Sequence, residues 1–198
     1  ASKFAFSGMY GPGDVRAHLL STGAVPEIVS DAWVRNHYKW VVWKLAMVEL
    51  YAEMQMKVQN DLVEGRQHDD DHRLGSRLHY DAVKEELSAR YNREYVEGKR
   101  SFLKGVLQRD YPFGVPCVLK VASIAVNVAR TTCTLLLTDG WYGIYAECDK
   151  QLLALTQSKK LFIGQKLRIC GAELTGGSPG DPLEVAEEAR IILSYNQV

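Results

Sequence analysis

Few side chains in this sequence are spaced for reaction chemistry. The most suggestive run is His68-Asp69-Asp70-Asp71-His72, two imidazoles four residues apart with carboxylates between them, the donor types of a divalent-metal box. Residues 59 to 75 around it hold little apolar material to fix such ligands, so the segment reads as a surface loop. Cysteines at 117, 133, 148 and 170 never approach a C-x-x-C spacing, which leaves zinc without support. They fall in β-like stretches, where a reduced thiol behaves as a small hydrophobe, and they point to a reducing compartment. Glu85-Glu86 and Glu187-Glu188 are neighbours in sequence and therefore point apart. No Walker loop, G-x-G-x-x-G or G-x-S-x-G is present. The expectation is no catalytic residue, no metal and no cofactor.

Contact chemistry is better represented. Trp33, Trp40 and Trp43 fall within eleven residues at helical spacing, more indole than one small helical core consumes. They read as core or, in part, as a surface for another chain. Arg35, Lys39 and Lys44 share the segment, and Arg90, Arg93, Lys99, Arg100 and Lys104 follow later. These cations form either a charged docking surface or a solvated face laced with pairs such as Glu86 with Arg90. His37 reads as a hydrogen-bonded core histidine. In the C-terminal half, Trp141, Tyr142 and Tyr145 are candidates to stack on bases. Asp139-Gly140 is a hairpin signal, so Trp141 reads as a wall beside that turn or as a stacking platform.

The elements that must position these residues follow from periodicity. Residues 1 to 13 read as a loop, and Asp14 as the N-cap of a short helix through Leu20 that Gly23 stops. Pro26 suits the first turn of a long helix. One apolar row of that helix is Trp33, His37, Trp40, Met47, Tyr51, Met54, and a second is Val34, Tyr38, Val41, Leu45, Val48, Ala52. Ser76 caps a second long helix to about Asp110, interrupted by Gly98 and Gly105. The pattern changes near Tyr111-Pro112-Phe113-Gly114-Val115-Pro116, which sets a helical domain at 1–114 and a β domain at 115–198. Strands are expected at 117–128, 131–138 and 141–148, a helix at 150–157, and strands at 166–174 and 185–195. That order fits an α+β multidomain chain, an α-helical domain followed by a five-stranded OB-fold β-barrel.

Composition sets the bounds. The chain has 198 residues, 46% hydrophobic and 24% charged, enough for a real core. Lys plus Arg equals Asp plus Glu at 24 each, which lowers the case for a self-sufficient nucleic-acid binder. No apolar run is long enough for a membrane span, and the N-terminus does not read as a signal peptide. Its lack of an initiator Met suggests a processed chain or a fragment.

The string Trp33-Val34-Arg35-Asn36-His37-Tyr38-Lys39-Trp40-Val41-Val42-Trp43-Lys44-Leu45-Ala46 closely resembles the core helix of the helical domain in the breast cancer type 2 susceptibility protein family. Thr138-Asp139-Gly140-Trp141-Tyr142, Gly164-Gln165-Lys166, Gly171-Ala172-Glu173-Leu174 and Pro182-Leu183-Glu184 resemble, in order and spacing, its first OB-fold. The resemblance spans about residues 20 to 195. It implies a nuclear, non-enzymatic scaffold from a homologous-recombination mediator. Such a mediator loads a RecA-type recombinase on single-stranded DNA, with the recombinase held by regions outside this chain. It also implies a small acidic, proteasome-lid-type polypeptide docked across helical domain and OB-fold, and no membrane. The partner-binding residues are then Trp33, Arg35, Lys39, Trp40, Trp43 and Lys44, and the nucleic-acid-binding residues Trp141, Tyr142 and Tyr145. The link between the first two strands, 127–130, is tight where the family can carry a long insertion.

Independent DNA binding is expected to be weak. Strand 2 offers no aromatic, the first loop is nearly absent, and the loop from Thr175 to Glu188 holds four acidic residues and no basic one. Two other readings remain at this stage: a general single-stranded-DNA-binding OB module similar to replication protein A, and an accessory OB domain of an enzyme such as a synthetase.

Overall fold

The computed structural model describes residues 6, 10–62, 77–110, 112–129 and 131–198. The chain forms two compact units, Ala1–Gly98 and Lys99–Val198. The compositional change at 114 lies later because Leu103, Val106 and Leu107 of the short helix just before it share one core with the strands that follow.

In the first unit, α1 spans Pro12–Ser21 and α2 spans Asp31–Leu62. Gly11, rather than Asp14, caps α1, and its N–H donates to the Asp14 carboxylate at 2.8 Å. Pro26 sits in a turn whose Ile28 and Val29 N–H groups donate to Val25 O, so α2 starts later than expected. Ser30 Oγ accepts from the Trp33 N–H at 3.2 Å there and closes the first turn. The first half of α2 buries Trp33, Val34, His37, Tyr38, Trp40, Val41, Val42 and Leu45, while Leu50, Tyr51, Met54 and Met56 further along are exposed.

The expected second long helix is three elements. Helix α3 (Tyr80–Tyr91) takes His79 as its cap, Nδ1 accepting from the Ala82 N–H at 3.2 Å, and buries Val83 and Leu87. A π-helical turn continues over Asn92–Val96. The helix ends where Gly98 takes φ 66°, a left-handed conformation that glycine adopts without steric cost. Helix α4 (Phe102–Leu107) then starts afresh in the second unit, with Ser101 Oγ accepting from the Lys104 N–H.

The second unit carries β1 (Cys117–Val126), β2 (Cys133–Thr138), β3 (Gly143–Cys148), α5 (Lys150–Gln157), β4 (Lys166–Ile169), β5 (Glu173–Thr175), α6 (Pro182–Val185) and β6 (Arg190–Leu193). The strands make one sheet in the order β4-β1-β2-β3-β6-β5, antiparallel except for the parallel pair β3 and β6. A five-stranded barrel was expected; the described residues form a six-stranded sheet. Gly171 at φ 74° breaks the run 166–174 into β4 and β5, and the helical turn Pro182–Val185 reaches the start of the run 185–195, where the strand forms only from Arg190. The end strands β4 and β5 are consecutive in the chain.

Alternation sorts the two faces of the sheet. Leu119, Val121, Leu135, Leu137, Ile144, Ala146, Leu167, Ile169, Ile191 and Leu193 are buried on one side, and α5 adds Leu152 and Leu153. The register shifts between Val121 and Ser123, so Val121 and Ala122 are both buried and the alternation restarts. Asp149 fixes α5 from both sides. Oδ1 accepts from the Leu152 N–H at 2.8 Å, and Oδ2 from the Tyr195 N–H at 2.8 Å.

Candidate functional site

The turn from Thr138 to Tyr142 is held by its own side chains. Asp139 Oδ1 accepts from the Trp141 and Tyr142 N–H groups at 2.8 and 3.0 Å. Thr138 Oγ1 accepts from the Gly140 N–H at 2.9 Å and donates to Tyr142 O. The other Asp139 oxygen reaches outside the turn and accepts from the Leu103 N–H in the first turn of α4 at 2.9 Å. One carboxylate therefore shapes the hairpin and ties α4 to the sheet. The sequence showed only the first role.

The three aromatics named for base stacking separate. Tyr142 is buried at 2% exposure, so its ring is core and is not offered to a nucleic acid. Trp141 is half-buried and packs against the same core. Only Tyr145 stands out, 38% exposed, on the solvent face of β3. The Arg190 guanidinium from β6 lies 4.9 Å from its ring centroid, a cation on a stacking platform.

The loops beside that face are already committed. Asn127 Oδ1 accepts from the Thr131 and Thr132 N–H groups at 2.7 and 3.0 Å, which closes the β1–β2 connection on itself. In the β5–β6 connection, Arg109 donates to Gly176 O and Gly177 O, and the Gly180 N–H to Leu107 O. Glu184, Glu187 and Glu188 remain exposed there.

In the helical unit, Trp33 and Trp40 are buried at 1% and 2%. Their indole N–H groups are satisfied inside, Trp33 by Glu94 Oε2 at 3.0 Å and Trp40 by Asn36 Oδ1 at 3.1 Å. Both are core; of the three tryptophans, only the half-buried Trp43 keeps ring surface outward. Arg35 is exposed, and Lys39 Nζ lies 4.5 Å from the Trp40 ring centroid. Lys44 binds both Glu86 oxygens at 2.9 Å. The pairing expected between Glu86 and Arg90 gives way to this one, because Arg90 turns inward and is 6% exposed.

Arg90 enters a buried polar cluster with His37 and Glu94. A guanidinium only donates, so His37 Nδ1 accepts from Arg90 Nη1 at 3.3 Å and the ring proton sits on Nε2, 3.6 Å from Glu94 Oε2. The core histidine is as expected. Glu94, which accepts from the Trp33 indole and lies 3.6 Å from His37 Nε2, escaped notice because one acid on a charged helix has no distinguishing spacing. Arg100 pairs with Asp110, and Arg93 is exposed.

Cysteine chemistry is muted. Burial pushes the Cys117 thiol up to about 11 and the Cys148 thiol up to about 12, so both stay protonated and poorly nucleophilic. Cys148 lies opposite Cys133 across β2 and β3. Among the described residues no cluster of His, Cys, Asp and Glu could hold a metal ion, and no helix is long and apolar enough to cross a membrane. The His68–His72 run lies outside the described residues.

Residues 101–198 match the family described as BRCA2, oligonucleotide/oligosaccharide-binding, domain 1, and residues 8–64 match BRCA2, helical. Two Arabidopsis thaliana proteins, Protein BREAST CANCER SUSCEPTIBILITY 2 homolog A and homolog B, are each 34% identical over 190 residues, 90% of this chain. The chain spans about 15% of the length of these curated relatives.

Proposed function

The chain belongs to the BRCA2 family, and from that premise we propose that it is a non-enzymatic scaffold segment of a homologous-recombination mediator. Such a mediator acts in the nucleus during DNA repair and loads a RecA-type recombinase on single-stranded DNA. The recombinase is held by regions outside this chain. The chain's own work is to dock a small acidic polypeptide of the proteasome-lid type and to touch DNA weakly, with neighbouring OB-folds supplying most of the affinity.

One observation carries the docking role. Beyond the half-buried Trp43, α2 presents Met47, Leu50, Tyr51 and Met54 at helical spacing, and Leu50, Tyr51 and Met54 are 51%, 38% and 56% exposed. A contiguous apolar row on a helix that buries its other half marks a place for another chain. The exposed Arg35 on the same helix suits an acidic one. The DNA role rests on Tyr145 and Arg190, since Tyr142 is core. The self-closed β1–β2 connection and the acidic β5–β6 connection weigh against a general single-strand binder similar to replication protein A.

Co-expression with a short acidic polypeptide tests the docking role. The expected result is higher soluble yield and co-retention on a column. Leu50→Lys with Met54→Lys should abolish retention at unchanged melting temperature. If the parent chain retains no acidic polypeptide, or the double variant retains it fully, this reading fails. Submicromolar binding of oligo-dT by this chain alone at physiological salt would contradict the weak DNA role.

A further inference from the structure

The solvent face of the sheet sorts its charges along the strand axis. Residues 150–172 carry five basic and no acidic side chains, and residues 173–189 carry five acidic and no basic ones, so the sorting begins in the sequence. Strand register then lays the charges out in rows. Nearest the β1–β2 connection, Thr134 pairs with Glu147, Glu147 with Ile192, and Ile192 with Glu173. The next row holds Ser123, Leu136, Tyr145, Arg190 and Thr175. A third sets Lys120 directly across from Lys166, and a fourth sets Val118 across from Arg168. Glu147, Glu173, Lys166 and Arg168 are exposed, and Lys120 and Arg190 are half-buried. Acid therefore gives way to base from one end of the strands to the other. Two lysines opposite each other on one side of a ladder concentrate positive charge there, which favours a polyanion laid across them.

We propose that a single strand of DNA crosses this face obliquely, from Tyr145 and Arg190 over Leu136 to Lys120, Lys166 and Arg168. The proposal rests on the DNA contact put forward above and assigns its path. Loops on either side of an OB sheet commonly bracket a bound strand. Here the β1–β2 connection is closed by Asn127, and the β5–β6 connection exposes Glu184, Glu187 and Glu188. Phosphates are repelled on that second side and drawn towards β1 and β4. The path takes four strand-to-strand steps, roughly 19 Å at about 4.8 Å each, room for a few nucleotides. Tyr145 gives one base a ring to stack on, and the lysines and arginines take the backbone.

Fluorescence anisotropy of a labelled dT oligomer of about 12 nucleotides, titrated with the 198-residue chain at a series of low salt concentrations, tests the path. Lys166→Gln with Arg168→Gln should weaken binding about tenfold and lower the salt slope by about 1.4, two phosphate contacts at about 0.7 each. Glu184→Gln with Glu187→Gln should not weaken it. All four side chains are exposed, and unchanged thermal melts establish that the variants fold. If the Lys166/Arg168 variant binds as the parent does while Tyr145→Ala loses affinity, the path is overturned and the DNA contact stands. Weakening by the Glu184/Glu187 variant overturns the path equally. If the parent binds no oligomer at the lowest salt, the DNA contact itself fails and takes the path with it.

Discussion

The two units solve opposite problems. The helical unit buries charge, with Arg90, Glu94 and His37 inside, and leaves Leu50, Tyr51 and Met54 in water. In the sheet unit the interior is apolar, Thr138 being the buried polar side chain within its strands, and the outer face carries charges in rows. A buried ion cluster is a costly way to fill a core unless each group is satisfied, and it confers specificity more than stability. An apolar row left outside costs solubility unless something covers it. The contrast teaches that the sheet unit keeps its charges on an outer face, whereas the helical unit, among the described residues, puts charge inside and an apolar row outside.

The largest expected effect falls on the buried cluster. Glu94→Ala takes the acceptor from the Trp33 indole and removes the buried carboxylate beside His37, so the helical unit should lose about 3–5 kcal/mol. Hydrogen exchange should show the loss in α2 and α3 while β1–β3 keep their protection. Equal loss of protection in both units would break the contrast.

In the sheet unit, Asp139→Ala removes one carboxylate that accepts three backbone N–H groups. Destabilisation of about 2–3 kcal/mol is expected by chemical denaturation. Exchange should rise at Leu103 as well as at Trp141 and Tyr142. A change confined to the turn would mean that Asp139 does not hold α4.

Covering the exposed row sharpens the contrast from the other side. Leu50→Lys with Met54→Lys should change stability by no more than about 0.5 kcal/mol yet reduce self-association of the isolated chain in sedimentation. A sharp monomeric profile with cooperative melting of the unaltered chain would remove the premise that the helical unit lacks a cover.

The smallest effect concerns alkali. Cys117 and Cys148 are raised by burial to about 11 and about 12 from an ordinary value of 9.0, and Tyr38 to about 12 from 10.0. In each case the folded chain holds the proton more tightly. The stabilisation is complete below the ordinary value and is lost as pH rises towards the folded one. The sheet unit should therefore begin to weaken from about pH 9, before burial of Tyr38 is felt in the helical unit. Cys117→Ala should flatten that early decline in thermal melts taken between about pH 9 and 11.

Much of this was legible in the sequence. The α1 and α5 segments, the first three strands and the burial of α2's first half follow from periodicity, because burial on one face repeats every 3.6 or 2 residues and leaves a pattern. The break of the second long helix was not foreseen. Gly98 was noticed, but whether a glycine bends a helix or ends it depends on what the following residues can pack against. The split of 166–174 at Gly171 has the same cause. For the site, the sequence offers Trp141, Tyr142 and Tyr145 alike for stacking; Tyr145 lies exposed on β3, while Tyr142, three residues earlier, is core. Alternation can be read only once the phase of the strand is known, and the turn at Asp139 sets that phase.

The sequence by itself determined the family, the change from helical to strand-like patterning along the chain, and the run of base followed by acid in its last fifty residues. Only the tertiary structure decided which aromatics face water, that Glu94 anchors Trp33 beside His37, and that Lys120 meets Lys166 across a ladder. These are relations between residues far apart in the chain. They are fixed by strand register and helix rotation, which many side chains choose together and no short segment encodes.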